Sequence, residues 1–180
     1  DRAISPRNDQ DQMAVFISQL KLAEKYERPV NLHCRNAFGL LVDFLKKNGG
    51  LSHGGVIHSY SGSAEMVKVF EKFGAYISFS GSVTRPQNKK ARLAARAVSL
   101  ERLLIETDTP DILPTGAPEG LNEPTHVHLV LKTLASLRDE PLDVLANATF
   151  LNAGRLFDFN AHRKDGPEIL TEDHRRLVKP

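Results

Sequence analysis

Four short apolar runs, each ending in a polar residue and separated by helix-like stretches, constrain this chain more than any other feature. They are Val30-Asn31-Leu32-His33, Gly55-Val56-Ile57-His58, Ala75-Tyr76-Ile77-Ser78-Phe79-Ser80 and Leu103-Leu104-Ile105-Glu106-Thr107-Asp108. Runs this short, bounded by Gly and Pro, read as buried strands rather than helices. Their ends at His33, His58, Ser80 and Asp108 recur at intervals of 25, 22 and 28 residues. An antiparallel partner needs only a tight turn, whereas a parallel one needs a crossover of a dozen or more residues, usually a helix. The spacing therefore predicts an α/β fold with parallel strands in sequence order over residues 29 to 108. Helices should cover one face, and the four polar ends should share one rim.

The intervening stretches carry helical periodicity. Met13, Phe16, Ile17, Leu20 and Ala23 recur at three and four, and Pro29 ends that pattern. Ala37 to Lys47 repeats it with Leu40, Leu41, Phe44 and Leu45 inward and Gly49-Gly50 as the stop. Ser63 is placed to cap a helix with Met66, Val67, Phe70 and Phe73 inward, closed by Gly74. Ala91 to Val98 forms a basic helix, and two more follow over Pro124 to Leu137 and Leu142 to Phe157. Residues 1–159 read as one domain and the charged stretch 160–180 as a tail.

The totals remove several classes of function. A formal charge of +2 over 180 residues gives no bulk field for a nucleic-acid backbone, so any such affinity must be local. The single cysteine, Cys34, excludes an internal disulfide framework and fits a reducing, intracellular setting, cytoplasmic or nuclear. No apolar run approaches membrane-spanning length and no signal-peptide pattern opens the chain, so no membrane partner is expected.

In a parallel sheet the chemistry gathers at the carboxyl ends of the strands. His33, His58 and Asp108 all stand there. A single such histidine is commonly just a hydrogen-bonded residue, but two beside an aspartate form a candidate metal or catalytic site. Imidazole and carboxylate suit zinc, manganese or a related divalent ion. Arg35, two residues past its strand, could hold a phosphate or form a surface ion pair. Glu106 shares a strand face with Asp108 and could orient a ligand from behind or pair with a neighbouring Arg or Lys. His126 and His128 fall at i and i+2 on an expected helix and should point apart. Cys34 reads as a packed residue rather than a nucleophile. There is no Gly-rich phosphate loop.

The ordered motifs Val30-Asn31-Leu32-His33-Cys34-Arg35-Asn36-Ala37, Gly54 to Gly62, Tyr76 to Gly81 and Leu104 to Pro110 resemble the later motifs of the TatD family. Asn122-Glu123-Pro124 and Asn152-Ala153-Gly154-Arg155-Leu156-Phe157 resemble its closing region. The resemblance spans residues 1 to 159. It implies a partial (β/α)₈ TIM-type barrel of the amidohydrolase type, strands five to eight with their helices. It also implies a metal-dependent hydrolase acting on DNA phosphodiesters, with a divalent cofactor (zinc, magnesium or manganese). His33 and His58 would be metal ligands, and Asp108 the metal- and water-binding catalytic carboxylate. The family's opening His-x-His and bridging Glu have no counterpart, since Asp1 aligns just after that Glu. The chain alone is therefore expected to be impaired or inactive, to bind metal weakly, and to self-associate through the open barrel edges. Two other readings stay open: a non-catalytic binding module, and a hydrolase of another small ester or amide.

Overall fold

The computed structural model describes residues 1–157 apart from residues 4 and 7; the expected tail, 160–180, lies outside the described residues. Helix α1 (Asp9–Lys25) precedes strand β1 (Val30–His33), α2 (Phe38–Asn48), β2 (Gly55–His58), α3 (Ala64–Lys72) and β3 (Ala75–Phe79). A 3₁₀ turn (Gly81–Thr84), α4 (Lys89–Ala97), a second 3₁₀ turn (Leu100–Arg102) and β4 (Leu103–Ile105) follow. A third 3₁₀ turn (Pro124–His126) leads into α5 (Val127–Arg138) and then α6 (Leu142–Phe157).

The four strands form one sheet in the order β1-β2-β3-β4, every neighbour parallel. His33 lies opposite His58, so both histidines sit at one level of one rim. Ile57, Ile77 and Leu103 lie in register and are fully buried. They join Leu45, Val67, Phe70, Ala94 and Leu134 in the main core, so α2 to α5 cover one face of the sheet as the spacing predicts. Burial of this apolar layer is the dominant favourable term in folding. Tyr60 completes it with edge-to-face contacts to Phe38, Phe70 and Phe79 at ring separations of 5.3, 6.2 and 6.3 Å, a geometry aromatic pairs favour.

Alternate strand residues point the other way. There the structure departs from helices on one face alone: Leu156 of α6 packs with Val56, Tyr76 and Leu104 in a second, smaller cluster. These residues are apolar near the amino ends of their strands, and a helix end covers them. The same face turns polar toward the rim, where His33, His58 and Ser78 stand.

Local departures have local causes. Leu40, expected inward, is 38% exposed, because it lines an open groove between α1 and α2 with Phe16 and Phe44. Helix α1 presents the expected face, but none of its residues is fully buried. Ser63 occupies the N-cap of α3 without a capping side-chain bond; its carbonyl instead accepts the Tyr60 hydroxyl at 2.8 Å. The helix expected from Pro124 starts with a 3₁₀ turn, and β3 stops at Phe79 rather than Ser80. Among the described residues no helix is long and apolar enough to cross a membrane.

Candidate metal centre

Three of the four strands are followed, within three residues, by a non-glycine residue in the left-handed region. Asn36 (φ 52°) follows β1, Ser59 (φ 45°) follows β2 and Asp108 (φ 57°) follows β4. Such backbone is uncommon outside glycine, though Asn and Asp tolerate it best, and it clusters where a turn must aim a side chain. At Ser59 and Asp108 the turns bring two strand ends into direct contact.

His58 is the centre of that contact. Its Nδ1 lies 2.8 Å from Glu106 Oε2 and its Nε2 lies 2.7 Å from Asp108 Oδ1. Glu106 uses its other oxygen, Oε1, to accept the Ser59 backbone N–H at 2.6 Å. Glu106 is thereby held at both oxygens, and it fixes the ring of His58 in turn. Ser59 Oγ continues the network to Ser80 Oγ at 2.8 Å, tying in the end of β3. All three site residues are half-buried, with side-chain exposures of 23% for His58, 21% for Glu106 and 14% for Asp108.

The charge of the ring follows from this setting. The Glu106 hydrogen bond holds the His58 pKa above its ordinary value, and the Glu106 and Asp108 charges act the same way, against the effect of burial. His33 moves in the opposite direction, mainly by burial and then by the positive ends of His58 and Arg35. Without a metal, then, a proton shared between His58 Nε2 and Asp108 satisfies both groups. A divalent cation would compete with that proton for the same two atoms.

The sequence-derived candidates are not all brought together. His58, Glu106 and Asp108 offer ligand atoms within 4.8 Å of one another. His33 is adjacent, with ring centres 5.9 Å from those of His58, but lies outside that cluster. Arg35 is exposed and reaches toward the Asp1 carboxylate at 3.7 Å, the ion-pair alternative of its two readings. Glu106 takes the orienting position, bonded to His58 rather than to an Arg or Lys. Cys34 is buried, and burial pushes its thiol pKa up to about 11, so it is packed and not activated. His126 and His128 are outside that cluster, His126 meeting the Asn122 side chain and His128 bonding to the Thr125 carbonyl. Sequence reasoning missed Ser59 and Ser80, although Ser59 follows His58 directly and Ser80 was already marked as a strand end.

The donor set fits a divalent ion. An imidazole and a carboxylate on this rim, His58 and Asp108, are ligand types that zinc and manganese accept, with Glu106 bonded behind the ring. With Nδ1 committed to Glu106, Nε2 is the nitrogen left to coordinate, the usual arrangement for a metal-binding histidine.

Comparison with known proteins places the chain in a family. The model of the family described as TatD related DNase matches residues 2–158. The chain belongs to the TatD-related DNase family. One relative, the uncharacterized metal-dependent hydrolase YabD of Bacillus subtilis, is 36% identical over 87% of this chain and 60% of its own length. A human relative named 3'-5' RNA nuclease TATDN2 is 32% identical over 82% of this chain and 20% of its own. Among solved structures, the TatD homologue YjjV of Escherichia coli K12 superposes with a TM-score of 0.77 at 36% identity, over 83% of this chain and 57% of YjjV. A TatD-family hydrolase of Entamoeba histolytica shares the fold, with a TM-score of 0.73 at 19% identity. The chain thus spans somewhat over half the length of the bacterial relatives it matches.

Proposed function

We propose that this chain carries strands five to eight of a (β/α)₈ barrel and, at their ends, part of the metal site of a hydrolase that cleaves phosphodiester bonds in DNA. The observation that carries this reading is His58 held between Glu106 and Asp108 on the strand-end rim. Four parallel strands in sequence order, matched to TatD-type structures over somewhat over half of their length, support the barrel assignment. Residues 1–159 would form this unit, and the lone buried thiol suits an intracellular setting.

His58 through Nε2 and Asp108 through a carboxylate oxygen would hold the ion, with the His33 ring beside them at 5.9 Å from that of His58. A bound divalent ion supplies a water of near-neutral pKa and neutralises charge on phosphoryl oxygens. Asp108 would orient the attacking water and take its proton, its carboxylate lying 2.7 Å from His58 Nε2. Glu106 keeps the His58 ring in one tautomer and orientation throughout. Arg35, freed from its exposed contact with Asp1, would steady a substrate phosphate.

The test joins this chain to the amino-terminal part of YjjV and measures cleavage of a DNA oligonucleotide with and without divalent metal. Metal-dependent cleavage that Asp108→Asn abolishes is the expected result. A folded, metal-loaded fusion that leaves DNA intact overturns the DNase reading. If it cuts RNA alone, the activity named for the human relative applies instead.

A further inference from the structure

Asp108 depends on a buried residue fourteen positions further along the chain. The chain leaves β4 through an irregular segment whose backbone is left-handed at Asp108 (φ 57°) and again at the β-branched Ile112 (φ 52°). Aspartate tolerates that region, but a β-branched residue does not, so something outside the segment must hold it at Ile112. Asn122, at 4% exposure, does so from beyond the turn. Its Nδ2 donates to the Thr107 carbonyl at 2.5 Å and to the Asp111 carbonyl at 2.6 Å. Its backbone N–H donates to the Pro110 carbonyl at 3.1 Å. Asp111 N–H in turn donates to the Asp108 carbonyl at 2.8 Å. Carbonyls on both sides of Asp108 thus converge on one amide, which fixes which end of that amide is nitrogen.

We infer that Asn122 is a positioning residue for Asp108: its buried amide clamps residues 107–111 and so sets where the Asp108 carboxylate meets His58. This inference rests on the metal-centre reading for its consequence, but its geometry stands without it. A second buried asparagine supplies the natural control. Asn152, with no exposure, donates from Nδ2 to the Leu100 and Leu103 carbonyls at 2.8 Å each. It performs the same kind of clamp at the opposite end of β4, away from the candidate metal centre.

The experiment uses the full chain with Mn²⁺ and Zn²⁺ as probes, reading metal affinity by titration and backbone exchange by mass spectrometry. Asn122→Ala and Asn152→Ala should both lower the unfolding midpoint, since each strands buried carbonyls. Only Asn122→Ala should also weaken metal binding, by about 10- to 100-fold, the usual cost of losing a partner that orients a ligand. It should also speed exchange in the 107–113 peptide, a change readable without metal. Should the alanine form not fold, Asn122→Ser, which keeps one donor, is expected to show both effects in smaller measure. A folded Asn122 variant with unchanged exchange at 107–113 overturns the clamp. Faster exchange with unchanged metal affinity overturns the positioning role, provided His58→Ala does abolish binding. If the unsubstituted chain and His58→Ala bind metal equally, the metal-centre reading fails, and exchange alone decides whether the clamp exists.

Discussion

Replacing Glu106 with Gln tests the electrostatic logic of the site with a change of one atom. Glu106 accepts two hydrogen bonds, from the Ser59 backbone N–H at 2.6 Å and at His58 Nδ1 at 2.8 Å. Gln has a single acceptor oxygen. The Ser59 N–H has no other acceptor in that arrangement, so the Gln oxygen stays with it and the amide NH₂ faces Nδ1. An NH₂ group there requires Nδ1 to accept, which moves the ring proton to Nε2. A protonated Nε2 cannot coordinate, so each binding event must first shift the tautomer or reorient the amide. The expected loss in metal affinity is about 10- to 100-fold, equal to about 1.4 to 2.8 kcal/mol. Titration against a chromophoric chelator measures it, with His58→Ala as the full-loss reference. A Glu106→Gln protein that binds metal as tightly as the unsubstituted one refutes the reasoning.

Three further outcomes follow from other parts of the molecule. Gly81→Ala should destabilise the fold by about 1–3 kcal/mol, because its Cβ would stand 2.2 Å from the Ile112 carbonyl oxygen and 3.1 Å from Pro114 N, both backbone; an unchanged denaturation midpoint contradicts this. Cys34 should resist iodoacetamide at pH 8 and react as its thiol ionises near pH 11. Because this pKa is raised, the unfolded chain ionises first, so stability falls as pH rises from 9.0 toward 11. Alkylation at the rate of an unfolded thiol at pH 8 would contradict the burial. The open edge of β1, beside an apolar groove of about 430 Å³ lined by Phe16, Leu40 and Phe44, should make the isolated chain self-associate; light scattering that finds a monomer at every concentration removes that expectation.

The parts of this architecture written in local periodicity are legible in the sequence. The apolar runs at Val30, Gly55, Ala75 and Leu103 predict strands, and their spacing predicts parallel pairing, because both follow from backbone rules that act over a few residues. Glu106 and Asp108 are legible as neighbours in sequence, but strand alternation is not what brings them to His58, because β4 ends at Ile105 and the backbone is left-handed at Asp108. What periodicity does not encode is how a strand end turns. Whether His33 or Glu106 becomes the nearest neighbour of His58 depends on the left-handed turns at Ser59 and Asp108 and on side-chain direction. Asn122 stands in a motif the sequence shows, but its contacts are illegible for a related reason: it reaches Thr107 and Asp111 across an irregular loop with no repeating pattern. Leu40 looks like core by spacing, yet it borders an open groove, because spacing names a face without saying what lies against it.

The central claim is that His58 and Asp108 together hold a divalent ion. Crystals of the chain soaked in Mn²⁺ or Zn²⁺ and measured at the metal's absorption edge test it directly. The account predicts an anomalous peak at about 2.0–2.2 Å from both His58 Nε2 and an Asp108 oxygen, with Glu106 still on Nδ1. A peak elsewhere, for instance beside His126 and His128, or an undisturbed His58–Asp108 contact at saturating metal, contradicts it.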